Sequence, residues 1–291
     1  MSQKDMAELL RCNVRTFQRM DAGESKVDIW QFIAISEAAQ IPMQDFWILH
    51  LETHEFEDYS RFKKLKNLIH AERMKEASVV LAEIKSNLKP SSKAVYLRQY
   101  ILLAEVELNE DMPREEALKQ LDDAIRMTKP KFDETKIKDC RLSYNEVNIL
   151  IEIAWIISEA GNRDRAIYIT KSLIESRQNI SASPEDMAHL LPALMSNVAT
   201  MLGKVERYNE SLKYCQMAMD ICEEFQEFRL MPKLLYMAAS CYRLLGDDKE
   251  KWLSYITRAY YCALGNRQYK KAQIIKKDAE DKEKFGIKLR Y

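Results

Sequence analysis

Residues 192–223, PALMSNVATMLGKVERYNESLKYCQMAMDICE, decide how the chain is read. The first half places Met195, Val198, Ala199 and Leu202 at helical spacing, and the second half Leu212, Cys215, Ala218 and Met219. A polar break at 204–209 separates them. Two amphipathic helices joined this closely cannot bury both apolar stripes against each other, so they need further helices of the same kind on either side. Ala199, Ser211 and Ala218 are small where two such helices must approach, Tyr208 occupies the turn, and Tyr214 and Gln216 follow it.

The same pattern recurs. A second helix opens on Glu76-Ala77, Glu116-Ala117, Arg165-Ala166 and Glu210-Ser211, so that the second residues of the pairs stand 40, 49 and 45 apart. Residues 148–173, NILIEIAWIISEAGNRDRAIYITKSL, carry Ala154, Gly161 and Ala166 at matching places. Residues 237–263, MAASCYRLLGDDKEKWLSYITRAYYCA, carry Ala239, Tyr242 and Gly246, with Trp252 near the expected packing site. These residues resemble the tetratricopeptide (TPR) repeat, and the spacing predicts about five degenerate units. The polar segment 127–140, MTKPKFDETKIKDC, accounts for the widest gap, and the charged tail from Ala272 reads as a terminal cap.

Bulk composition excludes several classes of function. The 291 residues hold 45 Lys+Arg against 45 Asp+Glu, so the molecule is not a polycation that coats nucleic acid, and any such contact is a local patch. Six Gly, seven Pro and 47% hydrophobic residues describe an ordered, helix-rich chain. The six cysteines form no CxxC and follow no signal-peptide pattern, which reads as reduced thiols in the cytoplasm. No apolar run is long enough to span a membrane. His50 and His54 have the four-residue spacing of a two-histidine zinc site, but no third ligand is near and they read as a polar helix. There is no Gly-rich phosphate loop, GxSxG or acidic metal cluster, so neither an enzyme nor a cofactor is expected.

Residues 1–52 differ from the rest. Ser2 is a cap for an amphipathic helix carrying Met6, Ala7, Leu9 and Leu10, with Asp5 at the capping-box position. Asn13 is a cap for the next helix, VRTFQRM, and Gly23 is its stop signal. A third helix follows with Ile29, Phe32, Ile33 and Ser36, and a fourth opens at Pro42. Ser2-Gln3, Met6-Ala7, Leu10, Phe17-Gln18-Arg19-Met20, Asp21 and Gly23 resemble the helix-turn-helix of the Cro/Xre class. Arg11 departs from that family's turn Gly, and Asp21 stands for its usual Glu. The resemblance implies that the VRTFQRM helix enters the major groove of double-stranded DNA, with Asn13, Arg15, Thr16, Gln18 and Arg19 facing bases and Gln3 near phosphate. Residues 1–52 carry a net charge of −3, while residues 1–20 hold four basic and two acidic side chains, so the positive patch is local. The family's domain opens with one helix more, and the expectation is of a domain lacking its first helix.

In TPR arrays the first helices of successive units line a groove. By that resemblance the groove holds Asn148, Glu152, Trp155 and Ser158 from one unit, Ser196, Asn197 and Thr200 from the next, and Lys233, Tyr236, Ser240 and Arg243 from the last, with Arg98 one unit earlier. An Asn amide pairs with both the C=O and the N–H of an extended backbone, and Lys233 and Arg243 suit a carboxylate. The whole chain resembles the Rgg branch of the bacterial peptide-responsive regulators, the RNPP superfamily. The resemblance implies an all-α chain, a helix-turn-helix over 1–52 and a right-handed TPR-like α-solenoid over 53–291. It also implies a cytoplasmic homodimer whose groove takes a short signalling peptide and alters promoter binding. Two other readings fit the same residues: a TPR adaptor that binds a protein and no DNA, and an Xre-type repressor whose repeats only dimerise.

Overall fold

The structure, a computed structural model, describes residues 2–22, 24–39, 53–71, 73–87, 95–109 and 111–289. They fall into two compact units, 1–90 and 91–291. The boundary expected at 52/53, the helix start at Pro42, His50 and the stop signal at Gly23 lie outside the described residues.

In the first unit, α1 (Gln3–Leu9) is capped by Ser2 in a reciprocal box: Ser2 N donates to Asp5 Oδ2 at 2.7 Å, and Asp5 N donates to Ser2 Oγ at 3.2 Å. Ala7 and Leu10 are buried. Arg11 then takes φ 50°, which explains why the related turn favours Gly. Asn13 caps α2 (Val14–Asp21) by accepting from Thr16 N at 2.8 Å, as its position predicts. After α3 (Ile29–Ala39), helices α4 (Thr53–His70) and α5 (Met74–Asn87) form a hairpin. Its buried side chains include Phe62, Leu65, Leu68, Ala77, Val80, Leu81 and Ile84.

The second unit contains α6 (Val95–Leu108), α7 (Arg114–Arg126), α8 (Tyr144–Glu159), α9 (Arg163–Glu175), α10 (Pro184–Lys204), α11 (Tyr208–Glu224), α12 (Met231–Leu244), α13 (Lys249–Gly265) and α14 (Tyr269–Glu280). Each helix packs on its neighbours in sequence, and α6, α8, α10 and α12 also pack one on the next. Stacked helical hairpins do this: α6, α8, α10 and α12 are the first (A) helices of successive hairpins, and α7, α9, α11 and α13 the second (B).

The recurring small residues sit where the spacing puts them. Ala77, Ala117, Ala166 and Ser211 are all buried, and so are Ala154, Ala199, Ala218 and Ala239. Ser211 Oγ donates to the Ala199 carbonyl at 2.8 Å, a distance that only a small residue permits. Around these contacts Leu121, Ile149, Leu173 and Leu194 are fully enclosed, each contributing about 1.5–3 kcal/mol by burial. The cysteines are all free. Burial pushes the Cys215 thiol up to about 12 and Cys222 up to about 11, so both behave as packing groups.

Three features depart from the spacing. Helix α10 begins at Pro184, capped by Ser183, and runs through Pro192, well ahead of the apolar spacing that starts at Met195. The Ser183 cap and the proline in the first turn set the beginning, and packing on both sides tolerates the N–H missing at Pro192. The segment 127–140 is no loose insertion. It forms a 3-10 helix, Glu134–Asp139, with Ile137 fully buried. Arg165 holds Glu134 through two hydrogen bonds of 2.9 and 2.7 Å, and Tyr168 Oη donates to the Thr135 carbonyl at 3.0 Å. Beyond it Leu142 and Ile180 pair as two-residue parallel strands, β1 (Leu142–Ser143) and β2 (Ile180–Ser181). Finally, the tail does more than cap. After α14 the chain turns back, and Phe285 is buried against Trp252 and Tyr236, with ring centroids 5.7 and 6.1 Å away.

Candidate functional site

The A helices share one continuous polar face. On α8, Asn148, Glu152 and Trp155 recur at four and three residues and form one stripe, as do Asn197, Thr200 and Lys204 on α10. Contacts between helices join the stripes. The Glu152 charge acts on Glu107 of α6. Lys204 reaches back to α8, where Nζ donates to Glu159 Oε1 at 2.5 Å and lies 5.4 Å from the Trp155 ring centre. Thr200 Oγ1 lies 3.5 Å from Met237 Sδ of α12, and Tyr236 Oη donates to Asp278 Oδ2 of α14 at 2.7 Å.

Several polar groups on these helices have no partner among the described residues. Glu107, Glu152, Asn197 and Lys233 are half-buried and make no hydrogen bond or ion pair with another described residue. The hydroxyls of Ser158 and Ser196 are buried and unpaired. Native proteins leave few buried polar groups unsatisfied, because each costs about 1–3 kcal/mol. Burial pushes the Glu107 carboxyl up to about 8, with the Glu152 charge adding to it, and burial also raises Glu152. Burial lowers Lys233, and the charges of Lys271 and Lys204 push in the same direction.

The expected groove residues divide accordingly. Glu152, Asn197 and Lys233 keep their polar atoms available. Asn148 has committed its amide to the Tyr144 carbonyl at 3.0 Å. Thr200 donates to the Ser196 carbonyl at 2.8 Å, Ser240 to the Tyr236 carbonyl at 3.0 Å, and the Tyr236 hydroxyl is held by Asp278. The Arg243 guanidinium lies 5.5 Å from the Phe285 ring centre, which ties it to the tail. Arg98 precedes Tyr100 by two residues, about 200° round α6, and so lies on a different stripe from Tyr100 and Glu107. Glu107, Lys204 and Lys271 are additions to the face. The repeat register counted from Ala104 of α6 does not mark Glu107.

The second cluster lies on the head. The Gln18 side-chain amide donates to the Gln3 side-chain oxygen at 2.9 Å, linking α2 to the first turn of α1. Gln3, Arg15, Gln18 and Arg19 are exposed, and Arg19 Nε stands 3.8 Å from Glu24. Thr16 is half-buried and gives its backbone N–H to Asn13, so the Asn13 oxygen is occupied by capping. Helix α2 buries no residue fully, and Arg15, Gln18 and Arg19 stand on its exposed side among the described residues. Among the described residues no group of His, Cys, Asp or Glu is arranged to hold a metal, and no helix is long and apolar enough to cross a membrane.

No family model matches the sequence, and no curated protein matches it. Solved structures do match. PlcR of Bacillus thuringiensis, in complex with the peptide PapR7 and DNA, is 17% identical; the match covers 94% of this chain and 93% of that one, with a TM-score of 0.79. ComR from S. thermophilus, in complex with DNA and its signalling peptide ComS, is 15% identical over 95% and 93% of the two chains, with a TM-score of 0.64. PlcR in its apo form matches at 15% identity and a TM-score of 0.63, over 94% of this chain and 98% of that one. PlcR and ComR were each solved in complex with a peptide and DNA, and ComR of Streptococcus vestibularis is described as a competence regulator. Over nearly its whole length the chain has the all-helical fold of PlcR and ComR.

Proposed function

We propose that the chain is a cytoplasmic, homodimeric transcriptional regulator that binds double-stranded DNA through α2 and a short signalling peptide through the A-helix face. The observation that carries this reading is the row of polar groups on α6, α8, α10 and α12 that have no partner among the described residues. An extended peptide has unpaired backbone amides of its own, and Asn197 offers both a donor and an acceptor to them. The PlcR and ComR structures, each solved in complex with both a peptide and DNA, support a chain of this fold that binds both. On the head, the exposed Arg15 and Gln18 are side chains able to make paired hydrogen bonds to purine edges.

The two activities are linked: a peptide that binds one arrangement of the repeats better than another shifts DNA affinity by its difference in affinity for the two. The test is fluorescence anisotropy of labelled DNA from upstream of the gene, at several salt concentrations, with and without peptides encoded by small reading frames beside it. The reading requires salt-dependent, sequence-selective binding that a peptide changes. Peptide binding with no DNA affinity at any salt concentration would make the chain an adaptor. DNA binding that no peptide alters would leave the repeats as a dimerising element.

A further inference from the structure

The A-helix face carries two carboxyl groups at one end and an amine at the other, and no described side chain around them offers a counter-charge to either. At the α6–α8 end stand the Glu107 and Glu152 carboxyls, half-buried and without hydrogen-bond or ion-pair partners among the described residues. Tyr100 is the other titratable group in the field of Glu107. At the α12 end stands the Lys233 ammonium, also unpartnered. The groups acting on it are Lys271, Lys204 and the Cys215 thiol, with no carboxylate among them. Lys204 is already occupied by Glu159 and Trp155. Between the ends lies the amide of Asn197, half-buried and without a hydrogen-bond partner among the described residues.

Half-buried ionisable groups without partners weaken a fold, and they persist where a ligand supplies the missing partner; a peptide ammonium beside Glu107 would take the place of the proton that burial holds there. Resting on the peptide reading above, we infer that the face holds an extended peptide in one direction only. The peptide's N-terminal ammonium, or a basic side chain beside it, lies at Glu107 and Glu152, and its C-terminal carboxylate accepts from Lys233 Nζ. The reverse direction would set the peptide's carboxylate on the two carboxyl groups and its ammonium on the Lys233 amine. The span fits a short ligand. Packed helices lie about 8–10 Å apart. Two steps separate Glu152 of α8 from α12 and three separate Glu107 of α6 from it, roughly 16–30 Å, which about five to nine extended residues of roughly 3.3 Å each would cover.

The direction can be read without knowing the natural peptide. Four pools of random hexapeptides lacking charged side chains differ only at their ends: N-terminus free or acetylated, C-terminus free or amidated. Each is offered to the full-length wild type, to Lys233→Met and to the double variant Glu107→Gln/Glu152→Gln. Retained peptides are identified by mass spectrometry and titrated individually. Wild type should bind free-ended peptides about tenfold more tightly than C-amidated ones. Lys233→Met should lose the preference for acid over amide and keep that for free amine over acetyl, and the glutamine variant should do the opposite. Both preferences surviving in both variants would overturn the inference. Peptides that bind wild type with no preference for either end would overturn the direction and leave the peptide reading standing. Failure of every pool to bind wild type would overturn both. Melting curves guard against misfolding: Lys233→Met keeps the apolar stem and removes an uncompensated charge, so it should melt no lower than wild type. A lower melting temperature would make Lys233 structural and overturn its assignment.

Discussion

The Gln18 side-chain amide donates to the side-chain oxygen of Gln3 at 2.9 Å, so the two glutamines of the head act as a pair. If Gln18 meets a base edge, Gln3 fixes the direction in which it points. Replacing Gln18 by Ala should lower affinity for the specific site by about 1–3 kcal/mol while sparing random DNA. Gln3→Ala should give a smaller loss of the same kind, since it frees Gln18 without removing it. Anisotropy titrations on specific and scrambled duplexes measure both, and equal losses on the two duplexes would make the pair a helix-to-helix brace only.

Stability should depend on pH through Glu107. Its carboxyl is raised to about 8 against an ordinary 4.5, so the folded chain holds a proton that the unfolded chain has released. The contribution is complete below the ordinary value and is lost as pH rises through about 8. Glu152 is raised in the same direction and adds to the effect. Melting temperature should therefore fall as pH rises across this window, and Glu107→Gln should flatten that fall. Parallel curves for wild type and variant would show that Glu107 is already ionised in the folded protein.

The hairpin turns carry a second stability signature. Gly161 and Gly246 take φ 96° and 75°, while Glu206, Gln226 and Arg267 adopt φ 62°, 55° and 57° in the other turns. A left-handed residue other than glycine costs roughly 1–2 kcal/mol. Gly161→Ala should destabilise by about that amount, because no neighbour stands within 4 Å of an added Cβ and conformation alone sets the cost. Glu206→Gly should stabilise by up to about 1 kcal/mol, since glycine's greater unfolded-state entropy offsets part of the gain. Urea titrations of the two variants test the sign, and a neutral Gly161→Ala would contradict it.

The fold was legible because its determinants are local and repeated. Ala199, Ser211 and Ala218 sit at fixed spacing for a steric reason, and Ala117 and Ala166 repeat the same contact one unit at a time. The site was legible only in part. Asn197, Glu152 and Lys233 follow from helical spacing once Ala154, Ala199 and Ala239 set the register. Whether a polar atom is free depends on partners far away in the chain. Nothing near Arg243 announces Phe285, and nothing near Tyr236 announces Asp278, 42 residues on. Glu107 does not follow from the repeat register, because counting from the buried Ala104 of α6 as from Ala154, Ala199 and Ala239 puts other residues of α6 in the groove. The start of α10 at the Ser183 cap lies before the apolar spacing from Met195, so the repeat pattern does not mark it.

Asn197 tests the central claim most directly, because it lies midway along the A-helix face and its amide bonds to no described residue. Calorimetric titration of wild type and Asn197→Ala should use the neighbouring-frame peptide that most raises the melting temperature. The loss of its hydrogen bonds should weaken binding roughly tenfold, the equivalent of about 1.4 kcal/mol. The melting temperature without peptide should stay unchanged, because no contact of the folded chain is removed. Asn148→Ala should cost less, since its amide is already given to the Tyr144 carbonyl. Unchanged affinity in Asn197→Ala, or a loss matched by a fall in stability, would contradict the assignment of the A-helix face to the peptide.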